Sequence, residues 1–395
     1  MRDLRAERPF RYDYVFVAAV VFLTLLGLVT LYSASYLFAL NQPWRFGGGG
    51  APLFSNLVAC AIMLLLFPIL ASLKIDALKK EWIIIALVLF TVAINILPFV
   101  PFFRKSGFEE GDVMRWIIIR RGGSDWLSFQ PSEVMKITLP LYLAYILDKN
   151  AERIDSFFYG PLPPAVVTAV FCALVWMQNN FSEVVLVLLV GFAICFVAGI
   201  RFRWFVAGAA LSIPAGYFLA FRDSGGRWPQ RLHSFFNPGQ DALGARFQPE
   251  MSMDAIRAGG FFGRGIGQGA VKVRLPEVHG DFVFASFAEE FGLLGVFLYL
   301  VLIGVFAGIV FCVAWRSGDR FSRLLAFGLA APIVMQTLLN IAVVANLVPT
   351  TGIALPFVSS GGSSLLMTLC ASALLANLAR RHVLSIDKEA RNNDE

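Results

Sequence analysis

Stretches of about 20 apolar residues recur along most of this chain, and a stretch of that length is what a helix needs to cross a bilayer. They lie at 14–38, 52–72, 82–103, 128–147, 162–178, 181–199, 204–221, 282–314, 324–348 and 363–379. In hydrocarbon every backbone N–H and C=O must be satisfied within the protein, which favours helices. The runs therefore predict an all-α polytopic membrane protein with ten transmembrane helices. Composition agrees. Of 395 residues, 57% are hydrophobic and only 15% charged, against about 25% charged in a soluble globular protein. The first run is too long for a signal-peptide core and no small-residue cleavage site follows it, so it reads as a retained helix. The stretch 162–199 is too long for one span, and a tight turn is expected at Gln178-Asn179-Asn180. Cys60, Cys172, Cys195, Cys312 and Cys370 all fall inside apolar runs. Their scatter gives neither a disulfide framework nor metal-ligand spacing.

Basic residues in the short connections set the orientation. Lys74, Lys79, Lys80, Lys149, Arg153, Arg201, Arg203, Arg316, Arg320 and Arg323 fall on one side, together with Arg2, Arg5, Arg8 and Arg11 before the first span and Arg380 and Arg381 after the last. Both termini are then cytoplasmic. The net charge of +6 serves orientation and is not a nucleic-acid signal. Residues 1–395 read as a single integral membrane domain. Two outer regions are too long and too patterned to be plain connectors. One is 104–127, and the other is the extracytoplasmic loop 222–280 between helices 7 and 8. Apolar patches and regular glycines in the latter favour order. Residues 382–395 form a short cytoplasmic tail, and its polar end from Asp387 is expected to be disordered.

Four polar clusters interrupt this pattern. At the start of the fourth span, Phe129-Gln-Pro-Ser-Glu133-Val-Met-Lys136 places Glu133 and Lys136 at i and i+3 on one helix face. An acid and a base at that depth need each other or a polar cavity; the pair suits a substrate site or a structural link between helices. The second cluster is the loop 222–280, with Arg227, Arg231, Arg246-Phe-Gln248 and the glycine run from Gly259 to Gly269. Arginines suit phosphate and glycines allow close backbone approach to a ligand; the alternative is a glycine-rich turn without a ligand. The third is Leu275-Pro-Glu-Val-His279-Gly-Asp281-Phe-Val-Phe-Ala285, followed by Glu289 and Glu290. Carboxylates at the mouth of a membrane helix are costly to bury and functional by default. Asp281, Ala285, Ala288 and Glu289 are expected on one helix face, as a polar stripe pointing into the bundle. His279 either orients Asp281 or stands by. The fourth is Asn340 to Ser364, where Pro349, Gly352, Pro356, Gly361 and Gly362 interrupt a segment at membrane depth. Irregular backbone there must lie against protein or a water-filled cavity.

Three of these motifs, in this order, closely resemble the SEDS family (shape, elongation, division and sporulation) of bacterial cell-wall proteins, which includes RodA, FtsW and SpoVE. They are Phe129-Gln-Pro-Ser-Glu133-x-x-Lys136; Leu275-Pro-Glu-x-His-x-Asp281-Phe-x-Phe-Ala285 with Glu289-Glu290-x-Gly292; and Pro349-x-x-Gly352-x-x-Leu-Pro356-Phe-x-Ser359-x-Gly-Gly-Ser363-Ser364. The resemblance spans nearly the whole chain and leans towards FtsW through His279 and Arg231-Leu-His-Ser-Phe-Phe-Asn-Pro238. It implies an inner-membrane peptidoglycan glycosyltransferase that polymerises lipid II. Asp281 would be the catalytic residue. Glu133, Lys136, Arg227, Arg231, Gln248, His279 and Ser363 would bind substrate, with a class B penicillin-binding protein and other division or elongation proteins as partners. A divalent cation, magnesium or manganese, is a possible cofactor, with no metal ligands assigned. The chain departs from the family at Gln178-Asn179-Asn180-Phe181-Ser182-Glu183, where many members carry Gln-Pro-Asp-x-Gly-Thr. An acid is lost at Asn180 and one appears at Glu183, which argues against a catalytic role for the start of the sixth helix. The rival readings are a lipid II flippase or transporter and a non-catalytic scaffold of the division complex.

Overall fold

The computed structural model describes residues 12–41, 52–100, 115–121, 124–221, 227–236, 247–271 and 280–394. Helices α1 (Tyr12–Asn41), α2 (Pro52–Ser72), the one-turn α3 (Ile75–Leu78) and α4 (Glu81–Ile96) precede a β-hairpin of β1 (Ile117–Arg121) and β2 (Ser124–Phe129). Helices α5 (Ser132–Lys149), α6 (Leu162–Met177), α7 (Phe181–Val197), α8 (Phe202–Phe221), α9 (Arg227–Phe236), α10 (Phe247–Gly259), α11 (Val283–Arg316), α12 (Arg320–Val344) and α13 (Gly362–Asp394) follow. Six of them, α1, α2, α4, α11, α12 and α13, are long and apolar enough to cross a membrane, and α6 and α7 are shorter apolar helices.

The expected turn between α6 and α7 is present. Asn179 takes a left-handed φ of 57° there, a conformation asparagine tolerates better than most residues. Three expectations need correction. The fold is not wholly α: β1 and β2 pair antiparallel, with Ile117 opposite Phe129. The fourth span accordingly starts at Ser132 with Pro131 at its cap, because residues up to Phe129 belong to β2. The C-terminal segment is helical through Asp394, since α13 simply continues past the apolar run.

Helices α5, α12 and α13 form the middle of the bundle. α5 packs against α4, α7 and α12, and α13 against α2 and α12. Gly328 of α12 faces Pro140 of α5 so closely that an added Cβ would lie 2.9 Å from the proline Cβ. Several hydroxyls inside the helices bond back one turn, as Thr24 does to the Val20 carbonyl (2.8 Å) and Thr337 to Ile333 (2.9 Å), which satisfies them within the apolar interior.

The loop 222–280 is partly helical, and its fold explains the glycines. α11 breaks at Gly292, whose φ of 64° and ψ of −169° are not helical. A break leaves backbone carbonyls and amides without their helical partners. The segment after α10 supplies new ones. Arg264 and Gly265 donate to the carbonyls of Glu289 and Glu290 (both 3.0 Å), while Leu293 and Leu294 donate to the carbonyls of Gly260 and Phe261 (2.9 and 3.0 Å). The two chains approach so closely that a Cβ on Gly263 would lie 2.1 Å from the Glu290 carbonyl oxygen. Glycine is required because backbone meets backbone. For Gly259 and Gly263, the close approach expected towards a ligand is instead towards α11.

Candidate active site

Glu289 and Glu290 belong to the same junction. The Glu289 carboxylate accepts from the amides of Ala270 (2.7 Å) and Val271 (2.9 Å). The Glu290 carboxylate accepts from the Ser33 hydroxyl (2.5 Å) on α1 and from the Gly267 amide (3.2 Å). Both acids are buried and clamp the glycine segment onto α11. The expected polar stripe running from Asp281 to Glu289 is therefore not formed. Asp281 lies in the turn before α11, which begins only at Val283.

That turn is held by the end of α12 and the segment that follows it. The Asn340 side-chain amide near the end of α12 donates to the main-chain carbonyls of Asp281 and Ile353, both at 2.8 Å. The Ser359 hydroxyl donates to the Gly280 carbonyl (2.9 Å) and accepts from the Leu355 amide (2.7 Å). Asp281 itself is half-buried. Gly352 sits against its carboxylate: a Cβ there would come to 3.3 Å from Asp281 Oδ2. The irregular segment 345–361 is thus seated on protein, as its depth demands. It also contacts α1 and α2. Asn56 donates to the Ser359 carbonyl (3.1 Å) and accepts from the Gly361 amide (3.1 Å), and Gly27 abuts Phe357.

Glu133 and Lys136 meet as expected. Lys136 Nζ lies 2.7 Å from Glu133 Oε1. A third partner was not foreseen: Glu183 Oε1, in the first turn of α7, lies 3.3 Å from the same ammonium. The side chains of all three are at most 10% exposed. The start of the sixth membrane helix, for which no catalytic role is expected, thus contributes an ion-pair partner to Lys136. No sequence signal pairs residues 133 and 183, which are 50 positions apart; only the unusual acid at the head of an apolar run marks Glu183.

Three successive residues join these groups. Arg231 Nη1 donates to the Thr350 carbonyl (3.1 Å). The Ser182 hydroxyl, next to Glu183, donates to the Thr351 carbonyl. Gly352 adjoins Asp281. Asp281, Arg231 and the Glu133–Lys136–Glu183 cluster are therefore arranged around residues 350–352. Of the other expected site residues, Ser363 is buried in the first turn of α13, and its hydroxyl has no hydrogen-bond partner among the described residues. Gln248 is half-buried near the start of α10. Arg227 is the first residue of α9, and His279 lies outside the described residues. Among the described residues no group of three or more His, Cys, Asp or Glu side chains is placed to hold a metal ion.

A family model of FtsW, RodA and SpoVE, described as cell cycle proteins, matches residues 13–383. A "Probable peptidoglycan glycosyltransferase FtsW" of Geobacter sulfurreducens is 36% identical over 380 residues, covering 94% of this chain and 96% of its own. One of the same name from Bacillus subtilis is 32% identical, covering 93% and 90%. Among solved structures, a chain from a study of "structural coordination of polymerization and crosslinking by a peptidoglycan synthase complex" superposes with a TM-score of 0.73 at 26% identity, covering 94% of this chain and 99% of its own. The Rod shape determining protein RodA of Thermus thermophilus gives 0.65 at 26% identity, covering 95% and 98%.

Proposed function

Because the chain belongs to the FtsW, RodA and SpoVE family of cell cycle proteins, we propose that it is a peptidoglycan glycosyltransferase that polymerises lipid II, with Asp281 as general base. The observation that carries the proposal is the convergence of an acid, an arginine and a buried lysine cluster on residues 350–352. Asp281 takes the proton from the 4-hydroxyl of an acceptor N-acetylglucosamine, a poor nucleophile until deprotonated. That oxygen attacks the anomeric carbon of the donor muramyl sugar, and the bond to the polyprenyl pyrophosphate breaks. One in-line displacement turns the α-linked donor into a β-1,4 product, so a single base suffices and no covalent enzyme intermediate forms. Arg231 and Lys136 oppose the negative charge that gathers on the leaving pyrophosphate. Arg227, Gln248, His279, Glu133 and Ser363 complete the substrate contacts. A magnesium or manganese ion, if required, would find donors in the pyrophosphate itself.

In this reading α1, α2, α4 to α8 and α11 to α13 are ten spans in the bacterial inner membrane, both termini are cytoplasmic, and loop 222–280 faces outward. The partner is a class B penicillin-binding protein, and the role lies in division, since the curated relatives named above carry the name FtsW. The test is incubation of purified protein, with and without that partner, with labelled lipid II. Glycan polymer is the expected product, and its absence in the complete complex would refute the assignment.

A further inference from the structure

We infer that Glu183 is a positioning residue for Lys136: it fixes the lysine ammonium across the gap between α5 and α7 and links it to the segment that abuts Asp281. The inference rests on the reading of Lys136 as a substrate contact. The geometry runs in three steps. Glu133 lies one turn before Lys136 on the same helix, so that pairing alone leaves the ammonium free to follow α5. Glu183 approaches from a different helix, 3.3 Å from the same nitrogen, and so fixes the ammonium relative to α7. The first turn of α7 is in turn bound to the catalytic segment, because Ser182 donates to the Thr351 carbonyl and Gly352 adjoins Asp281.

Burial makes this arrangement specific. Glu133 and Glu183 are 3% and 4% exposed. Buried carboxylates are retained only where charge and hydrogen bonds compensate them. Among the described residues Glu133 Oε2 still has no hydrogen-bond partner. With Lys136 shared between two acids, that oxygen is left available to a donor on the substrate, such as a sugar hydroxyl or an acetamido N–H. Glu183 would then set both where the ammonium sits and which oxygen of Glu133 stays open.

The experiment compares kcat and KM for lipid II in the complex with its partner. Glu183→Gln keeps the shape and removes the charge. It should lower kcat about tenfold or more without raising KM, because a misplaced group costs turnover before binding. Glu183→Asp, which retains the charge on a shorter stem, should fall between Gln and wild type. Thermal melting run alongside separates misplacement from unfolding. If the Gln variant melts early, the Asp variant decides: turnover at or below that of Gln would refute a charge-based role. Wild-type kcat in Glu183→Gln, with Lys136→Met impaired, would overturn the inference alone. Wild-type kcat in Lys136→Met would remove the premise, and the inference would fall with it.

Discussion

The proposed mechanism places the chemistry on a single carboxylate in a turn, Asp281. Asn340 and Ser359 grip the main chain at Asp281 and Gly280, which fixes the backbone from which the carboxylate projects. At Glu289 and Glu290 the carboxylates themselves accept from backbone amides. Asp281→Asn should accordingly lower polymerisation by about 10²- to 10⁴-fold, the usual contribution of a general base, while melting and membrane insertion stay as in wild type. Near wild-type polymer formation by the purified variant would refute the assignment. Glu133→Ala and Lys136→Ala should each impair activity, and the double variant should lose less than the sum. Removing one partner leaves the other charge buried and uncompensated, so a double-mutant cycle reports the coupling; additive losses would contradict the 2.7 Å contact. At this scale the sequence carried Glu133, Lys136 and Asp281, because charged groups within apolar runs stand out. Asn340 and Ser359 were legible only as members of an irregular segment, and their partners were not. A polar residue in a helix end announces nothing about which carbonyl, 59 or 79 positions away, it will meet.

Among the elements, the junction of the glycine segment with α11 is the feature most open to test. Four backbone hydrogen bonds and two buried carboxylates replace the helical bonds lost at Gly292. Gly292→Ala would place a Cβ 2.2 Å from the Gly263 amide nitrogen at a positive φ. The left-handed conformation alone costs about 1–2 kcal/mol for a residue with a Cβ, and the overlap adds to it, so a clear drop in melting temperature is expected. Glu289→Ala should remove two hydrogen bonds to a charged acceptor, from the amides of Ala270 and Val271, at about 1.5–3 kcal/mol each. Hydrogen exchange at those two amides should quicken, while the centre of α12 keeps its protection; unchanged exchange would show that the clamp is dispensable. The sequence did not expose the break, because the apolar run continues on both sides of Gly292 and hydropathy is blind to φ. It likewise hid the hairpin 117–129: apolar β2 residues run directly into the α5 motif, and the strand pairing is with a segment rich in arginine. The places of the apolar helices along the chain and the α6–α7 turn were legible, because the 20-residue requirement and an Asn-Asn pair are local signals.

For the whole molecule, the arrangement separates a polymerase from a transporter. A flippase needs polar groups along a path between leaflets. Here Arg231, Asp281, Ser182 and the lysine cluster are gathered about one short segment, residues 350–352. The proposed orientation puts that segment on the outer face, where a lipid-linked sugar would be presented. The basic residues of the short connections dictate this orientation, so it can be tested without any assay of activity. Phe236 ends α9 and is exposed, and Gly318 lies in the connection between α11 and α12 with open space around it. Gly318 is preferred to its neighbour Asp319, whose side chain caps α12 by accepting from the Ser322 amide (3.0 Å). In a background lacking the five native cysteines, Phe236→Cys should react with an impermeant thiol reagent added outside intact cells or spheroplasts, and Gly318→Cys only after the membrane is opened. Outside labelling of Gly318→Cys would invert the topology and place Asp281 on the wrong face for an external lipid-linked acceptor. With the topology upheld, a complex that carries lipid II across vesicle membranes and forms no polymer would replace the polymerase reading by the flippase one. Polymer formed by the wild type and lost in Asp281→Asn, from vesicles offering lipid II only on the face bearing residue 236, would join sidedness and chemistry at one site.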